Sequence, residues 1–503
     1  MRLKQSIILA LSLFLVFPAG IFSQQTAATS FPRIEPDPKA IEYYNLRRSN
    51  SIPWLSLAEI SLWASGTASN SMSSYIERIT SAVTALNSSG ELPPYGKERA
   101  EFILTYMHVN LLRTYSLYQT RIDTLLTQRT FNCVSSAVLY MILCQSAGIN
   151  ASGVITREHA FITVHINGED IDVETTNRYG FDPGNRKEFH DQIGRVTGFS
   201  YVPAQNYRDR QTIGKIELIS LILNNRIADF ERSNNFTGAV PLAVDRAVLL
   251  LGNSSSGAYN ETSNNSLFAD PRTDLTDRLL NYGGQLLRSN REEDGLRWAL
   301  SASSLYPDAE RWNTYIQAAV NNRIARFIRD NRFSDARNFL ESNKLNITAE
   351  LYSEFDAVII DTELSGRANR IAGITDGDAV INEIEQARNN GRITASRAAE
   401  LITFSVQKTA SVLGAAPLRD WRGAISFIEN AVRRFGSNRE LEQALNIYRS
   451  NLASDYHNRF ASEWNRRNYD EAERILNEGL SEFPDNRQLI SDRETVNRQR
   501  ARN

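Results

Sequence analysis

The sequence predicts an α+β protein: a helix packed on an antiparallel sheet, with a helical segment before it and a long all-α array of helix pairs after it. Three observations carry this. Residues 131–149 (FNCVSSAVLYMILCQSAGI) form a nearly continuous apolar run between Asn132 and Gly148, long enough for a buried helix. Residues 159–166 and 170–176 alternate apolar and polar positions on either side of Asn167-Gly168, the strongest short hairpin signal. From about residue 215 onward the pattern is helical only, and it repeats.

Composition bounds the function classes. At 503 residues the chain exceeds one domain of ~150 residues. A hydrophobic fraction of 42% and a charged fraction of 23% are ordinary for a soluble globular protein. A formal net charge of −2 gives no footing for nucleic acid or an anionic membrane surface. The N-terminus stands apart. Arg2 and Lys4 precede a mostly apolar run over 7–22, interrupted by Pro18, Ala19 and Gly20, with the small Ser23 after it. That is the layout of a secretory signal peptide over residues 1–23. An uncleaved membrane anchor is the alternative, but the run is shorter than the ~20 residues a spanning helix needs. No later segment is long and apolar enough to span a bilayer. The expected location is therefore the periplasm or the outside of the cell, with a bacterial envelope as the leading expectation and no membrane span after signal removal.

The elements follow in order. Residues 24–40, with Pro32, Pro36 and Pro38, read as an extended linker. Helical patterns cover 41–48, 55–64 and 72–86, and Pro93-Pro94-Tyr95-Gly96 breaks them. Ile103, Met107, Leu111 and Tyr115, spaced by four, predict one or two amphipathic helices over 98–126. Asn132 is a good N-cap and Gly148 a common helix stop, which bounds the apolar helix. Strands are expected at 151–156, 159–166 and 170–176. Ala160, Ile162 and Val164 share one face, matched by Ile171 and Val173 on the return strand.

In the C-terminal region, residues 223–240 (LNNRIADFERSNNFTGAV), 320–337 (VNNRIARFIRDNRFSDAR) and 457–474 (HNRFASEWNRRNYDEAER) share a skeleton. It is Asn-Arg-apolar-Ala, then an aromatic, then Ala three residues later. The anchors are Ala239, Ala336 and Ala472, with weaker copies at Gly295, Ala379 and Ala424. From Gly295 the spacings are 41, 43, 45 and 48. Residues 253–266, rich in Ser and Asn, read as a loop within the array.

Chemistry concentrates in residues 131–176. A thiol attacks as thiolate, and a helix N-terminus or a neighbouring imidazolium favours that form. Cys133 is expected at a helix start, His159 at a strand start and Glu174 on the next strand back. With Asn167-Gly168 as the turn, Ile166 pairs with Glu169 and His159 with Thr176. Alternation then puts His159 on one face with Asp172, Glu174 and Thr176, and Glu174 becomes a diagonal neighbour ~7 Å away. The candidate catalytic set is Cys133 as nucleophile, His159 as proton carrier and Glu174 as the acid that orients His159, with Asp172 in reserve. The Cys133 backbone N–H is a candidate oxyanion donor. Gln128 and Asn132 are nearby amides without an assigned role.

Cys144 is the other of the two cysteines. On the same helix it lies ~16 Å along the axis from Cys133, beyond the ~7 Å a disulfide needs, and it reads as a small core residue. His108, His165, His190 and His457 lack metal-ligand spacing, and no phosphate loop or dinucleotide fingerprint occurs, so no metal or cofactor is expected. Residues 179–184 (YGFDPG) read as a loop at the cleft rim.

Residues 98–205 resemble the core of the transglutaminase-like superfamily, which shares the papain-type cysteine peptidase fold. The family pattern is a Cys starting a helix, a His-Ala-Trp-like strand start and an Asp-Pro-Thr-like end on the next strand. Asn132-Cys133, His159-Ala160-Phe161 and Val173-Glu174-Thr175-Thr176 stand at these places. Glu174 replaces the family's Asp, and Phe161 its Trp. The repeats resemble tetratricopeptide units, with Pro307 and Pro484 as the late proline and a period longer than 34 residues. The expected domains are the signal peptide (1–23), a linker and N-terminal helices (24–97), a transglutaminase-like core (98–214) and tetratricopeptide-like repeats (215–503). The resemblance implies an exported thiol hydrolase or transferase (protease, amidase or transamidase) acting on amide bonds in a protein or peptide substrate. A protein partner would sit on the concave face of the repeats. The alternative is a non-catalytic protein-binding scaffold with a degenerate core.

Overall fold

A computed structural model describes residues 31–47, 52–157, 159–183, 210–252 and 270–501. The expected signal peptide over 1–23, the loop over 253–266, Gly184 and His190 lie outside the described residues. The protein is mostly helical with small sheets, an α+β protein that ends in a helical array. It forms two compact units that divide between Tyr315 and Ile316.

In the first unit, α1 (Pro38–Arg47), α2 (Trp54–Ala64), α3 (Met72–Asn87) and α4 (Lys97–Asn110) lead to β1 (Thr114–Tyr115), α5 (Ile122–Gln128) and β2 (Thr130–Phe131). Next come α6 (Cys133–Ser146), β3 (Asn150–Ile155), β4 (Ala160–Ile166), β5 (Glu169–Val173) and β6 (Gln211–Ile213). The unit continues through α7 (Lys215–Arg232), α8 (Phe236–Leu251), α9 (Pro271–Arg288) and α10 (Glu292–Leu305). The four-stranded sheet runs β5-β4-β3-β6, with every neighbouring pair antiparallel. At three residues, β6 is too short to announce itself by alternation.

Helix α6 is the centre of this unit. Its start is a capping box: Ser135 N–H donates to Asn132 Oδ1 at 2.9 Å and Asn132 N–H donates to Ser135 Oγ at 2.9 Å, which satisfies two otherwise orphaned donors. Its end is a Schellman turn. Gly148 takes φ +74° and Ile149 N–H reaches back to the Cys144 carbonyl. Every residue from Cys133 to Cys144 is buried, because α2, α4, α7, β3 and β4 surround the helix. That explains an apolar stretch with no polar stripe. The shared core extends beyond residues 98–214 at both ends, from Tyr43 on α1 to Leu249 on α8.

The β4–β5 hairpin turns at Asn167-Gly168 with φ +53° and +82°, the two positive angles of a type I′ turn. Ile166 pairs with Glu169, and the ladder runs to Ile162 opposite Val173. There it stops. Residues 174–176 are a turn rather than strand, so His159 and Thr176 do not pair.

Two other expectations are corrected. The one or two helices expected over 98–126 are α4, which ends at Asn110, and the short α5, but the four-residue stripe does not run on to Tyr115, which lies in β1, paired in parallel with Phe131. Ser116 N–H donates to the Phe131 carbonyl, so pairing with β2 overrides the four-residue periodicity. The proline-rich lead-in is free of helix and strand over residues 31–37, with Pro38 opening α1, but it is not a loose tether. Arg33 makes a bidentate ion pair with the buried Asp245 of α8 (3.0 and 2.7 Å), and Tyr306 donates to the Ile34 carbonyl.

Helix α11 (Ala309–Arg329) carries the division between the units. The second unit continues with α12 (Phe333–Ser342), α13 (Ala349–Asn369), α14 (Ile374–Asn389), α15 (Ala395–Gly414), α16 (Trp421–Phe435), α17 (Arg439–Asn465), α18 (Tyr469–Glu482) and α19 (Arg487–Arg500). From α12 onward each helix packs on the next, as stacked helix pairs do.

The recurrent turn has one geometry. Asn234, Asn290, Asn331 and Arg467 take φ of 55°, 60°, 57° and 63°. The following N–H bonds the carbonyl five residues back: Asn235 to Phe230, Arg291 to Leu286, Arg332 to Phe327 and Asn468 to Glu463. Three residues into each second helix a small residue is buried: Ala239, Gly295, Ala336, Ala424 and Ala472. In α14 that position is Gly377, not Ala379, which is exposed. Ile374 takes the first helical position there and sets the count. A Cβ on Gly377 would lie 2.2 Å from Thr409 Oγ1 on α15. Gly377→Ala is therefore expected to destabilise the protein by about 1–3 kcal/mol in urea unfolding, whereas Ala379→Ser stays within about 0.5 kcal/mol.

Candidate thiol site

Three elements deliver the three candidate side chains to one place. Cys133 is the first residue of α6, where its backbone N–H is one of the helix's unpaired donors. His159 sits just ahead of β4, closing the β3–β4 hairpin through its carbonyl, which accepts from Thr156 N–H at 2.9 Å. Glu174 follows β5 at the point where the chain leaves the sheet.

His159 Nε2–H donates to Glu174 Oε2 at 2.5 Å. Cys133 interacts with the same ring. The order thiol–imidazole–carboxylate is thus assembled in space. Cys133 itself is 8% exposed. Burial works against a charged His159 ring, but the charge of Glu174 and hydrogen bonds from Cys133 and Glu174 outweigh it and raise the His159 pKa well above its ordinary value. Burial likewise opposes a charged Glu174. The charge of His159 and hydrogen bonds from His159 and Thr176 win and hold that carboxyl below the usual range.

Glu174 is 2% exposed, so its oxygens must be satisfied internally. Oε1 accepts from Thr176 N–H (3.0 Å) and Thr176 Oγ1–H (2.6 Å), while Oε2 takes His159. The turn carrying it is clamped from three sides. Glu174 N–H donates to the Gly180 carbonyl at 2.7 Å. Ser136 of α6 shares a 2.9 Å hydrogen bond with Thr175 Oγ1. His108 of α4 donates from Nε2 to the Thr175 carbonyl at 3.0 Å, and burial pushes its pKa down to about 4, so that ring stays neutral. Gly180 is required at its position, since a Cβ there would meet the Glu174 carbonyl at 2.1 Å. Residues 179–183 thus buttress the acid.

Asp172, the reserve acid, is engaged elsewhere. Arg210 grips it bidentately at 2.6 Å on each oxygen, Thr163 Oγ1 donates to it at 2.8 Å, and the guanidinium lies 5.2 Å from the Phe161 ring centre. Phe161 stacks between that arginine and the His159 ring. Asn132 is spent on the cap and on Leu117 O, and Gln128 is exposed on α5. Burial pushes the Cys144 thiol up to about 12, which makes it inert at neutral pH. Among the described residues, no group of His, Cys, Asp and Glu is arranged to hold a metal ion.

A cleft of about 360 Å³ opens over Cys133 and His159. It is lined by Leu117 and Tyr118 and, from α7, by Asn224, Asn225 and Arg232. Arg232 reaches across to lie 4.7 Å from the Tyr118 ring centre. Sequence reading assigned no role to His108, Arg210 or this face of α7. For His108 one signal existed: it follows Leu104 by four on the buried stripe of α4.

No family model and no curated protein matches the chain. Among solved structures it is similar to the one described as "Crystal structure of menin reveals the binding site for Mixed Lineage Leukemia (MLL) protein". The identity is 12% over 84% of this chain and 93% of that chain, with a TM-score of 0.30, a likeness too slight to carry an argument about fold or function.

The His159–Glu174 pair predicts a pH window. A raised His159 pKa contributes stability below about pH 6.5 that is lost as pH rises through the folded value. A lowered Glu174 pKa contributes stability above about pH 4.5 that is lost as pH falls through the folded value. Glu174→Gln is expected to cost about 1.5–3 kcal/mol, and the gap from wild type should be widest between about pH 4.5 and 6.5 in urea melts.

Proposed function

We propose that the protein is a thiol-dependent hydrolase or transferase of amide bonds, built on a transglutaminase-like core. The observation that supports this most is the convergence of Cys133, His159 and Glu174, with His159 hydrogen-bonded to Glu174, where an open cleft is lined by Cys133 and His159. In this reading Cys133 Sγ attacks the carbonyl carbon, and the C=O electron pair moves onto oxygen. His159 delivers a proton to the leaving amine, and water or a second amine then releases the acyl group. Glu174 holds the ring in orientation and stabilises its charged form, as the third member of such a series does. A helix packed on an antiparallel sheet, with Cys133 opening the helix, is the arrangement the resemblance implies. The stacked helices that follow serve to bind a protein partner, and the basic-then-apolar residues 1–23 point to export.

The test is alkylation by iodoacetamide across pH 5–9. Cys133 is expected to react faster than a free thiol below pH 8, where an ordinary thiol is mostly protonated. Cys133→Ala should abolish the labelling, and His159→Ala should reduce it to the free-thiol rate. Labelling of wild type no faster than glutathione would sink the proposal.

A further inference from the structure

The cleft lined by Cys133 and His159 is small. Its volume of about 360 Å³ is near the low end of the ~300–1,000 Å³ usual for small-molecule sites. Two of its lining residues, drawn from distant parts of the chain, touch one another: the Arg232 guanidinium lies 4.7 Å from the Tyr118 ring centre. Each is anchored to the same helix. The turn that carries Tyr118 is tied to the start of α6, where Asn132 Nδ2 donates to the Leu117 carbonyl at 3.2 Å and Ser135 Oγ donates to the Gln119 carbonyl at 3.2 Å. Arg232 is the last residue of α7, which packs on α6, and it pairs with Asp229 one turn back. The contact is therefore held at both ends against the helix that begins with Cys133. Neither side chain is part of the core, since Tyr118 is 65% exposed and the Arg232 side chain 55%. Burial of the core thus gives no reason for this contact, whereas its place in the cleft lining does.

Resting on the proposed acyl-transfer reading, we infer that Tyr118 and Arg232 are specificity-determining residues, whose contact narrows the cleft so that Cys133 accepts slender acyl donors and rejects bulky ones. A guanidinium over an aromatic face is an attractive contact. A substrate slim enough to pass beside it leaves it intact. A wider one must break it and forfeits that attraction. The rest of the lining suits a linear chain. Leu117, Leu221 and Ala228 offer apolar surface for a stem, and Asn224 carries an amide that can both donate to and accept from a polar backbone. The class of substrate is thus an acyl donor that presents its carbonyl on an unbranched stem. A donor with branched or globular bulk next to the carbonyl is the class excluded.

Two uncharged reagents that differ in shape test this at the Cys133 sulfur. N-Hexyl iodoacetamide and N-(1-adamantyl) iodoacetamide alkylate by the same step: the S–C bond forms and iodide leaves. Each rate is divided by that of glutathione with the same reagent, which removes intrinsic reactivity. Wild type is expected to favour the hexyl reagent over the adamantyl one. Arg232→Ala should raise the adamantyl rate by about two- to fivefold, the worth of an exposed contact of this kind, with the hexyl rate nearly unchanged. Tyr118→Ala should act in the same direction, and the double variant should gain no more than Tyr118→Ala alone, because both changes remove one contact. Melting temperatures should hold, since both side chains are exposed. A wild type without shape preference, a ratio unchanged in both variants, or equal gains with both reagents would overturn the inference. If wild type reacts with neither reagent faster than glutathione does, it is the nucleophile reading that fails, and the ratio between the reagents still reports on the contact.

Discussion

A carboxylate withdrawn from water must have its oxygens occupied, and Glu174 is the group in this protein for which that demand shapes the most structure. Its partner His159 is drawn from a different hairpin, its turn is held by His108 from α4 and Ser136 from α6, and Gly180 must lack a side chain to let the backbone close. Removing one member of a buried charged pair strands the other, so these contacts stand or fall together. The thiol depends on the same arrangement. Cys133 reaches an imidazole whose orientation is determined by a carboxylate.

Helix α6 converts this local demand into a global one. It carries Cys133 at its first residue and Ser136 one turn on, and it is buried over almost its whole length by helices and strands from before and after it in sequence. The site is therefore an end of the core rather than an addition to its surface. Helix α7 also packs on α6 and lines the cleft. The helices that follow the sheet thus enter the site geometry within the first unit.

Much of this was legible in the sequence, and the failures have particular causes. The cap at Asn132, the stop at Gly148, the Asn167-Gly168 turn and the pairing of Ile166 with Glu169 all follow from local rules. Extending the ladder to pair His159 with Thr176 did not hold, because strand pairing ends where the chain turns aside at Glu174. The side chains of His159 and Glu174 meet nonetheless, the extra methylene of Glu over Asp spanning from a backbone already off the sheet. Tyr115 fitted a helical stripe and lies in a strand, since a two-residue parallel pairing leaves no periodicity to read. Ala379 shows the limit of anchor matching: one residue type recurs, but helix start decides which position is buried.

The sequence by itself determined where helix α6 begins and ends, where the β4–β5 hairpin turns, which residues could carry chemistry, and that Cys133 and Cys144 have different fates. Caps, turns and alternation act over a few residues, so they are written locally. Only the tertiary structure decided which acid faces His159, what holds that acid, and which residues line the cleft. Arg210 occupies Asp172 from 38 residues away, and His108 holds Thr175 from 67 residues away. Such contacts depend on how packed elements approach one another, which no short-range pattern encodes.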